Sequence, residues 1–392
     1  MANDKIQAII LAAGKSTRFN TGNSKLTEPI CGKEMIVHIT RIFEQLQVPT
    51  TLVVGYKKEQ VQEAIKKNHP KTSFTFVEQH EQRGSGHALA CSRPFWQQDH
   101  ILVLNGDIPL ITSQLVQNLI DTHLKERAAL SFIVARDVDA SIHGYGHVIQ
   151  ENNRIKIVED RHMNREQLEM SDLNAGIYLF DKSFLLQYID NLPRHEVSGE
   201  YYLTTLIEVA SDSGLPICTV DAPFDQVRGV NTFKELWVAE HLKRSQLIEH
   251  FMNNGVRFST PHSVHLDEDI RIAPGAIIGA HAQLFGKTTI GAHTEIGAFT
   301  VLQDAIIGNH TTIRAHSIIK ESVIGNNCLV DSFTYVHEHA EIQDQCCIDS
   351  FNDIKNQKMA RTPTYEPHDT KRNKTFVAAF KAAVDKSFAE TT

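Results

Sequence analysis

From Leu266 onward an aliphatic residue recurs every sixth position, at Leu266, Ile272, Ile278, Leu284, Ile290 and Ile296, with small or turn-forming residues between. That spacing predicts short strands, three to a turn, wound into a parallel β-helix whose inward Leu, Ile and Val side chains stack coil upon coil. After small slips the pattern resumes at Ile307, Ile313, Ile319, Ile324, Val330, Val336, Ile342 and Ile348. Single-residue bulges at the corners accommodate such slips. Glycine follows the aliphatic residue at Gly279, Gly291, Gly297, Gly308 and Gly325, as tight corners would require. With about eighteen residues per coil, the segment 263–350 predicts roughly four to five coils.

The residues before it need a different fold. Residues 6–13 form a nearly continuous apolar run, as expected of a strand buried on both faces of a parallel sheet. Further strands are expected at 51–54, 75–77 and 101–104, with helices at 37–47 and 59–67. Strand and helix alternate, which predicts an α/β fold, a doubly wound mixed sheet. A connecting helix is expected over 234–253, a link into the first coil over 255–262, and an amphipathic helix over 375–388 in a tail that starts at 351. The expected organisation is therefore 1–232, 233–262, 263–350 and 351–392.

Bulk properties exclude several partners. In 392 residues, 41% are apolar and 22% charged, with a net charge of -8, so neither nucleic acid nor an anionic membrane is expected to bind through bulk electrostatics. The apolar N-terminal run is too short to span a membrane and lacks a cleavage pattern, which reads as cytoplasmic. Six cysteines without C-x-x-C spacing read as free thiols rather than zinc ligands.

The first strand runs into Gly14-Lys15-Ser16-Thr17-Arg18, followed by Lys25. This is neither a Walker A loop nor G-x-G-x-x-G. Exposed backbone N–H groups, two hydroxyls and three cations can nevertheless hold phosphate oxygens. The strand 101–104 leads into Asn105-Gly106-Asp107, placing a carboxylate at the sheet edge where ligands bind in this class of fold.

Taken together, Leu11-Ala12-Ala13-Gly14 through Arg18, Lys25, the run Gln79-x-x-Gln82-x-Gly84-Ser85-Gly86-His87 and Asn105-Gly106-Asp107 resemble the sugar-nucleotide pyrophosphorylases. Gly144-Tyr145-Gly146, Glu159, Asn174, the run 200–204 and Gly229-Val230-Asn231 extend the likeness in the family's order. The resemblance is above all to the uridylyltransferase half of the bacterial bifunctional enzyme that makes UDP-N-acetylglucosamine. It covers roughly residues 5–350.

What this resemblance implies is a Mg²⁺-assisted, in-line attack of N-acetylglucosamine 1-phosphate on UTP, yielding UDP-N-acetylglucosamine and pyrophosphate. On the family's pattern the nucleotide falls to Leu11, Ala12, Ala13, Gly14, Gln79, Gly84 and Ser85. The sugar phosphate falls to Gly146, Glu159, Asn174, Tyr202 and Thr204, and the metal to Asp107 and Asn231. Lys15 and Arg18 would meet the departing pyrophosphate and Lys25 the α-phosphate. The resemblance further implies a left-handed β-helix that assembles three chains into a homotrimer. Departures are Ser16 for Gly, Ser24 for Pro, Asn105 for an aromatic residue and Thr205 for Asp. No counterpart of the family's late acetyltransferase motifs is found, so that activity is expected to be absent. Two alternatives remain: transfer to another sugar 1-phosphate or from dTTP, and a non-catalytic regulatory homologue.

Overall fold

The computed structural model describes residues 2–15, 18–19, 22–136, 142, 144–151, 154–159, 172–196, 198–355 and 358–359. It divides into two compact units, Met1–Gln246 and Leu247–Thr392. The expected tail helix at 375–388 lies outside the described residues.

The first unit is built on a nine-stranded mixed sheet. Its main path runs Ile217–Pro223, Leu130–Arg136, Asp172–Asp181, His100–Asn105, Ile6–Ala12, Thr50–Val54, Thr75–Glu78. Strand Ile6–Ala12 pairs in parallel with both His100–Asn105 and Thr50–Val54, while Asp172–Asp181 is antiparallel to both its neighbours on that path. A hairpin, Gly146–Glu151 with Arg154–Glu159, attaches at the start of Asp172–Asp181.

One face of the sheet presents Ile9, Val53, Val103, Phe132 and Phe180 to helices Ser85–Cys91, Lys182–Tyr188 and Thr205–Asp212. The alternate residues Ile10, Leu52, Leu102 and Leu104 are equally buried, so the sheet is covered on both sides, as its apolar strands predict.

In the second unit three six-stranded parallel sheets make up a left-handed β-helix. Its inward columns are Phe258, Ile278, Ile296, Ile313, Val330 and Ile348; Leu266, Leu284, Leu302, Ile319, Val336 and Ile354; and Ile272, Ile290, Ile307, Ile324, Ile342 and Met359. Six strands per sheet make six coils, more than the spacing predicted. Strands Arg257–Phe258, Asp353–Ile354 and Lys358–Met359 lie outside 263–350. The 3₁₀ turn Pro261–Ser263 stretches the interval between Phe258 and Leu266, which hides the first of these strands in the sequence. Ile354 keeps the six-residue interval from Ile348, and Met359 follows after five.

The five glycines Gly279, Gly291, Gly297, Gly308 and Gly325 act differently from the expectation. The left-handed corner positions are taken by His281, His293, Phe299, His310, His316, Asn327 and Phe333, among others. Glycine is instead required where the next coil passes close by: a Cβ on Gly297 would lie 2.4 Å from the backbone N of Ala315. Buried hydroxyls link successive coils, with Thr294 Oγ1 donating to Gly308 O at 2.7 Å and Thr311 Oγ1 to Gly325 O at 2.8 Å. None of the six cysteines is in a disulfide. No helix among the described residues is long and apolar enough to cross a membrane.

Candidate active site

The parallel strands of the first unit end together, and their carboxyl ends open into a cleft. Leu11 pairs with Asn105 at the last register position, and Gly106 N donates to Leu11 O at 2.9 Å. The turn carrying Asp107 therefore lies beside the loop 13–15. From the next strands outward, Gln79 N donates to Val54 O at 2.8 Å, which brings the Gln79 side chain to the same edge. Gln79 is buried, and its Nε2 donates to Gly84 O at 3.2 Å and to His87 Nδ1 at 2.9 Å. An amide fixed in this way presents its remaining oxygen in a set direction.

Gly84 opens helix Ser85–Cys91 with φ of 98°. An added Cβ would meet Tyr201 O at 2.6 Å, so both the backbone angle and the space demand glycine. The segment 79–86 is stitched to 200–204: Gly86 N donates to Tyr201 O, Tyr201 N to Arg83 O, and Leu203 N to Ser85 Oγ.

The cleft has two connected compartments. The first, about 450 Å³, is lined by residues 11–15, Lys25, Gln79, Gln82, Gly84, Asp107 and Glu200 among others. The second, about 220 Å³, is lined by Gly146, Asn174, Tyr202, Thr204, Asn231 and neighbours. Ser85, Asn105 and Asp107 line both. In the second compartment a register shift between Asn174 and Tyr178 lifts the strand, and Asn174 Nδ2 donates to the Tyr178 hydroxyl at 2.7 Å. The Tyr145 hydroxyl accepts from Gly229 N at 2.9 Å. Burial pushes its pKa up to about 12, which keeps the phenol protonated and able to donate.

At the junction, Lys25 Nζ lies 2.6 Å from Asp107 Oδ2 and 2.7 Å from Asn231 Oδ1. The two oxygens are adjacent because Val230 N donates to Asp107 O at 2.9 Å, locking the turn 229–231 against that carrying Asp107. Asn231 N in turn donates to Glu235 at 2.7 Å. Lys25 opens the 3₁₀ turn Lys25–Thr27, capped by Ser24, whose Oγ accepts from Leu26 N. Serine at 24, a departure from the resembled pattern, thus acts as a cap. Two oxygens that already share one cation suit a hard metal ion whose other ligands are phosphate and water. Among the described residues no group of three or more His, Cys, Asp or Glu could hold a metal alone.

The structure brings Leu11, Ala12, Ala13, Gly14, Lys15, Lys25, Gln79, Gly84 and Ser85 to the first compartment. It brings Gly146, Asn174, Tyr202, Thr204 and Asn231 to the second, and Asp107 to both. Arg18 is exposed and lines neither. The Glu159 side chain, Ser16 and Thr17 lie outside what is described, although the Glu159 backbone pairs with Gly146. Tyr145, Tyr178, Gln82, Asn105 and Glu200 also line the cleft without having been assigned to it. For Tyr145, Gln82, Asn105 and Glu200 the signal was present, since they sit inside the quoted motifs; Tyr178 gave none.

A MobA-like NTP transferase domain model matches residues 8–164, and a GMPPB C-terminal domain model matches 266–360. The chain is 33% identical over 353 residues to the bifunctional protein GlmU of Clostridium novyi, covering 89% of this chain and 76% of that one. The chain belongs to the GlmU family. It is also 35% identical over 288 residues to GlmU of Clostridium botulinum and 36% over 296 residues to GlmU of Exiguobacterium sibiricum. It spans 62% and 64% of the length of those two relatives. The NTP transferase match falls in the first unit and the GMPPB C-terminal match on the β-helix.

Proposed function

We propose that the first unit transfers a uridylyl group from UTP to N-acetylglucosamine 1-phosphate and releases pyrophosphate. The observation that carries this reading is the meeting of Lys25, Asp107 and Asn231 where the two compartments join. A nucleotide in the larger compartment and a sugar phosphate in the smaller would present their phosphates there.

In this reading the Gln79 amide and the backbone at Ala12 and Gly84 meet the donors and acceptors of uracil. The sugar hydroxyls meet Asn174, Thr204, Tyr202 and the backbone at Gly146. A sugar phosphate is largely dianionic near neutral pH, so the attack needs no general base. The protein's task is alignment and relief of charge repulsion. Lys15 and Lys25 supply ammonium groups on the nucleotide side, with Arg18 approaching from the exposed loop. Mg²⁺ held by Asp107 and Asn231 would offset charge on the phosphates. The β-helix would assemble three copies of the chain.

The test is pyrophosphate release from UTP and Mg²⁺ across a panel of sugar 1-phosphates. Release that depends on N-acetylglucosamine 1-phosphate is expected. Release with another sugar would keep the chemistry and replace the substrate. Silence across the panel, with dTTP also tried, would overturn catalysis in favour of a regulatory protein.

A further inference from the structure

Among the described residues, Lys25 differs from Lys15, the other cation that lines the nucleotide-side compartment, in having two side-chain partners. Its ammonium sits at 2.6 Å from Asp107 Oδ2 and 2.7 Å from Asn231 Oδ1, at the point on which these two oxygens converge. The backbone beneath it is anchored, with Ser24 and Leu26 buried and Ser24 N donating to Gln60 Oε1 at 3.0 Å. The four-carbon stem above it is built of rotatable bonds. Lys25 lines the nucleotide-side compartment, whereas Asn231 lines the other.

We propose that Lys25 is an exchangeable internal cation: it holds Asp107 and Asn231 together until nucleotide phosphates draw its ammonium away and release the pair to a divalent metal ion. This deepens the reading given above and rests on Asp107 and Asn231 being the metal-holding pair. Charge dictates the exchange. Asp107 with Lys25 is neutral as a pair, and a divalent ion added beside the ammonium would meet repulsion at contact distance in a partly buried site. A triphosphate supplies the negative charge that can receive the ammonium, and the rotatable four-carbon stem lets the ammonium swing towards it. Because the coupling between two ligands is reciprocal, nucleotide raises metal affinity and metal raises nucleotide affinity. The device favours loading of the pair when nucleotide is present and keeps the two oxygens from repelling each other when it is absent.

The experiment uses Mn²⁺ as the probe, with free ion followed by electron paramagnetic resonance, on the full chain with and without UTP. Without nucleotide, Lys25→Met is expected to bind Mn²⁺ on the order of tenfold more tightly than the unsubstituted protein. UTP should then raise Mn²⁺ affinity by a smaller factor in the variant, since only direct metal–phosphate contact remains to couple them. Lys25→Gln provides a second neutral variant should the methionine misfold, with circular dichroism reporting folding of each. Asp107→Ala should weaken Mn²⁺ binding in either condition. If both neutral Lys25 variants fold and bind Mn²⁺ no more tightly, while Asp107→Ala weakens binding, the exchange is overturned and the metal pair stands. If Asp107→Ala leaves Mn²⁺ binding unchanged, the metal reading fails and the exchange fails with it.

Discussion

In the β-helix, Thr311 N donates to Thr294 Oγ1 17 residues back, and Cys328 N to Thr311 Oγ1 another 17 residues on. In the cleft, Lys25 reaches Asp107 82 residues away and Asn231 206 residues away. Each β-helix coil is completed by the next copy of itself, so its energetics are local and repeated. The cleft is completed by segments scattered from Leu11 to Asn231, so its geometry depends on the whole first unit. A substitution in one coil should therefore be felt near that coil, whereas one at the junction should abolish the function of the entire cleft.

The sharpest test of this contrast is Asp107→Ala. It should lower the rate of pyrophosphate release by about 10² to 10³-fold while changing the unfolding midpoint little, because Asp107 lies at the cleft and not in the core. A folded variant with the unsubstituted rate would break the site assignment. Ile319→Ala is the counterpart in the β-helix. Ile319 is fully buried, and truncating it should cost about 3 kcal/mol in denaturant unfolding of the second unit, with uridylyl transfer unchanged. A loss of transfer comparable to that of Asp107→Ala would show that the two units are not energetically separate.

The third prediction concerns pH. His123 is buried, its Nδ1 against Ser131 Oγ at 2.9 Å and its Nε2 against His100 Nδ1 at 3.1 Å. Burial, reinforced by His100, lowers its pKa from 6.5 to about 4. The folded state thus favours neutral imidazole, while the unfolded chain takes up a proton near pH 6.5. The resulting stability is complete above that pH and is lost as pH falls from 6.5 towards 4, by at most about 3 kcal/mol. Urea midpoints measured across that window should fall, and His123→Gln should flatten the fall. An unchanged slope would place the titration elsewhere.

The smallest effect is expected on the aromatic corner of the β-helix. Phe333 is half exposed and stacks on His316 at 5.0 Å and Phe351 at 5.1 Å, with rings almost parallel. It also holds φ of 60°, where asparagine is better tolerated. Phe333→Asn should therefore change stability within about 0.5 kcal/mol, the loss of ring contact being offset by backbone relief. A fall of several kcal/mol would make the ladder a main support of the fold.

Much of the molecule is legible in the chain because its environment recurs at short range. The six-residue period names the inward residues of the central coils, since each is packed by its own copies above and below. The period falters at Phe258 and at Met359, where a 3₁₀ turn or a shortened coil shifts the spacing. Continuous apolar runs likewise announce the parallel strands, because burial on both faces leaves no polar alternation. Motifs at strand ends bring Leu11, Gln79, Gly84 and Asp107 into view, since the carboxyl edge of such a sheet is a position that the element order itself defines.

Other features depend on the folded chain. Nothing near Lys25 in sequence indicates that its ammonium would settle between Asp107 and Asn231; that follows from Val230 N binding Asp107 O across the two turns. Tyr178 lines the cleft beside a register shift, where its hydroxyl meets the Asn174 amide. Gly279, Gly291, Gly297, Gly308 and Gly325 could be read as corner residues, but each lies where the next coil passes close by. The sequence by itself determined the repeat, the apolar strands with motifs at their carboxyl ends and the residue types available for phosphate chemistry, because these rest on periodicity and side-chain character. Only the tertiary structure decided which groups meet, since Lys25 joins Asp107 82 residues away and the Asn231 amide 206 residues away where a backbone hydrogen bond holds their two turns together.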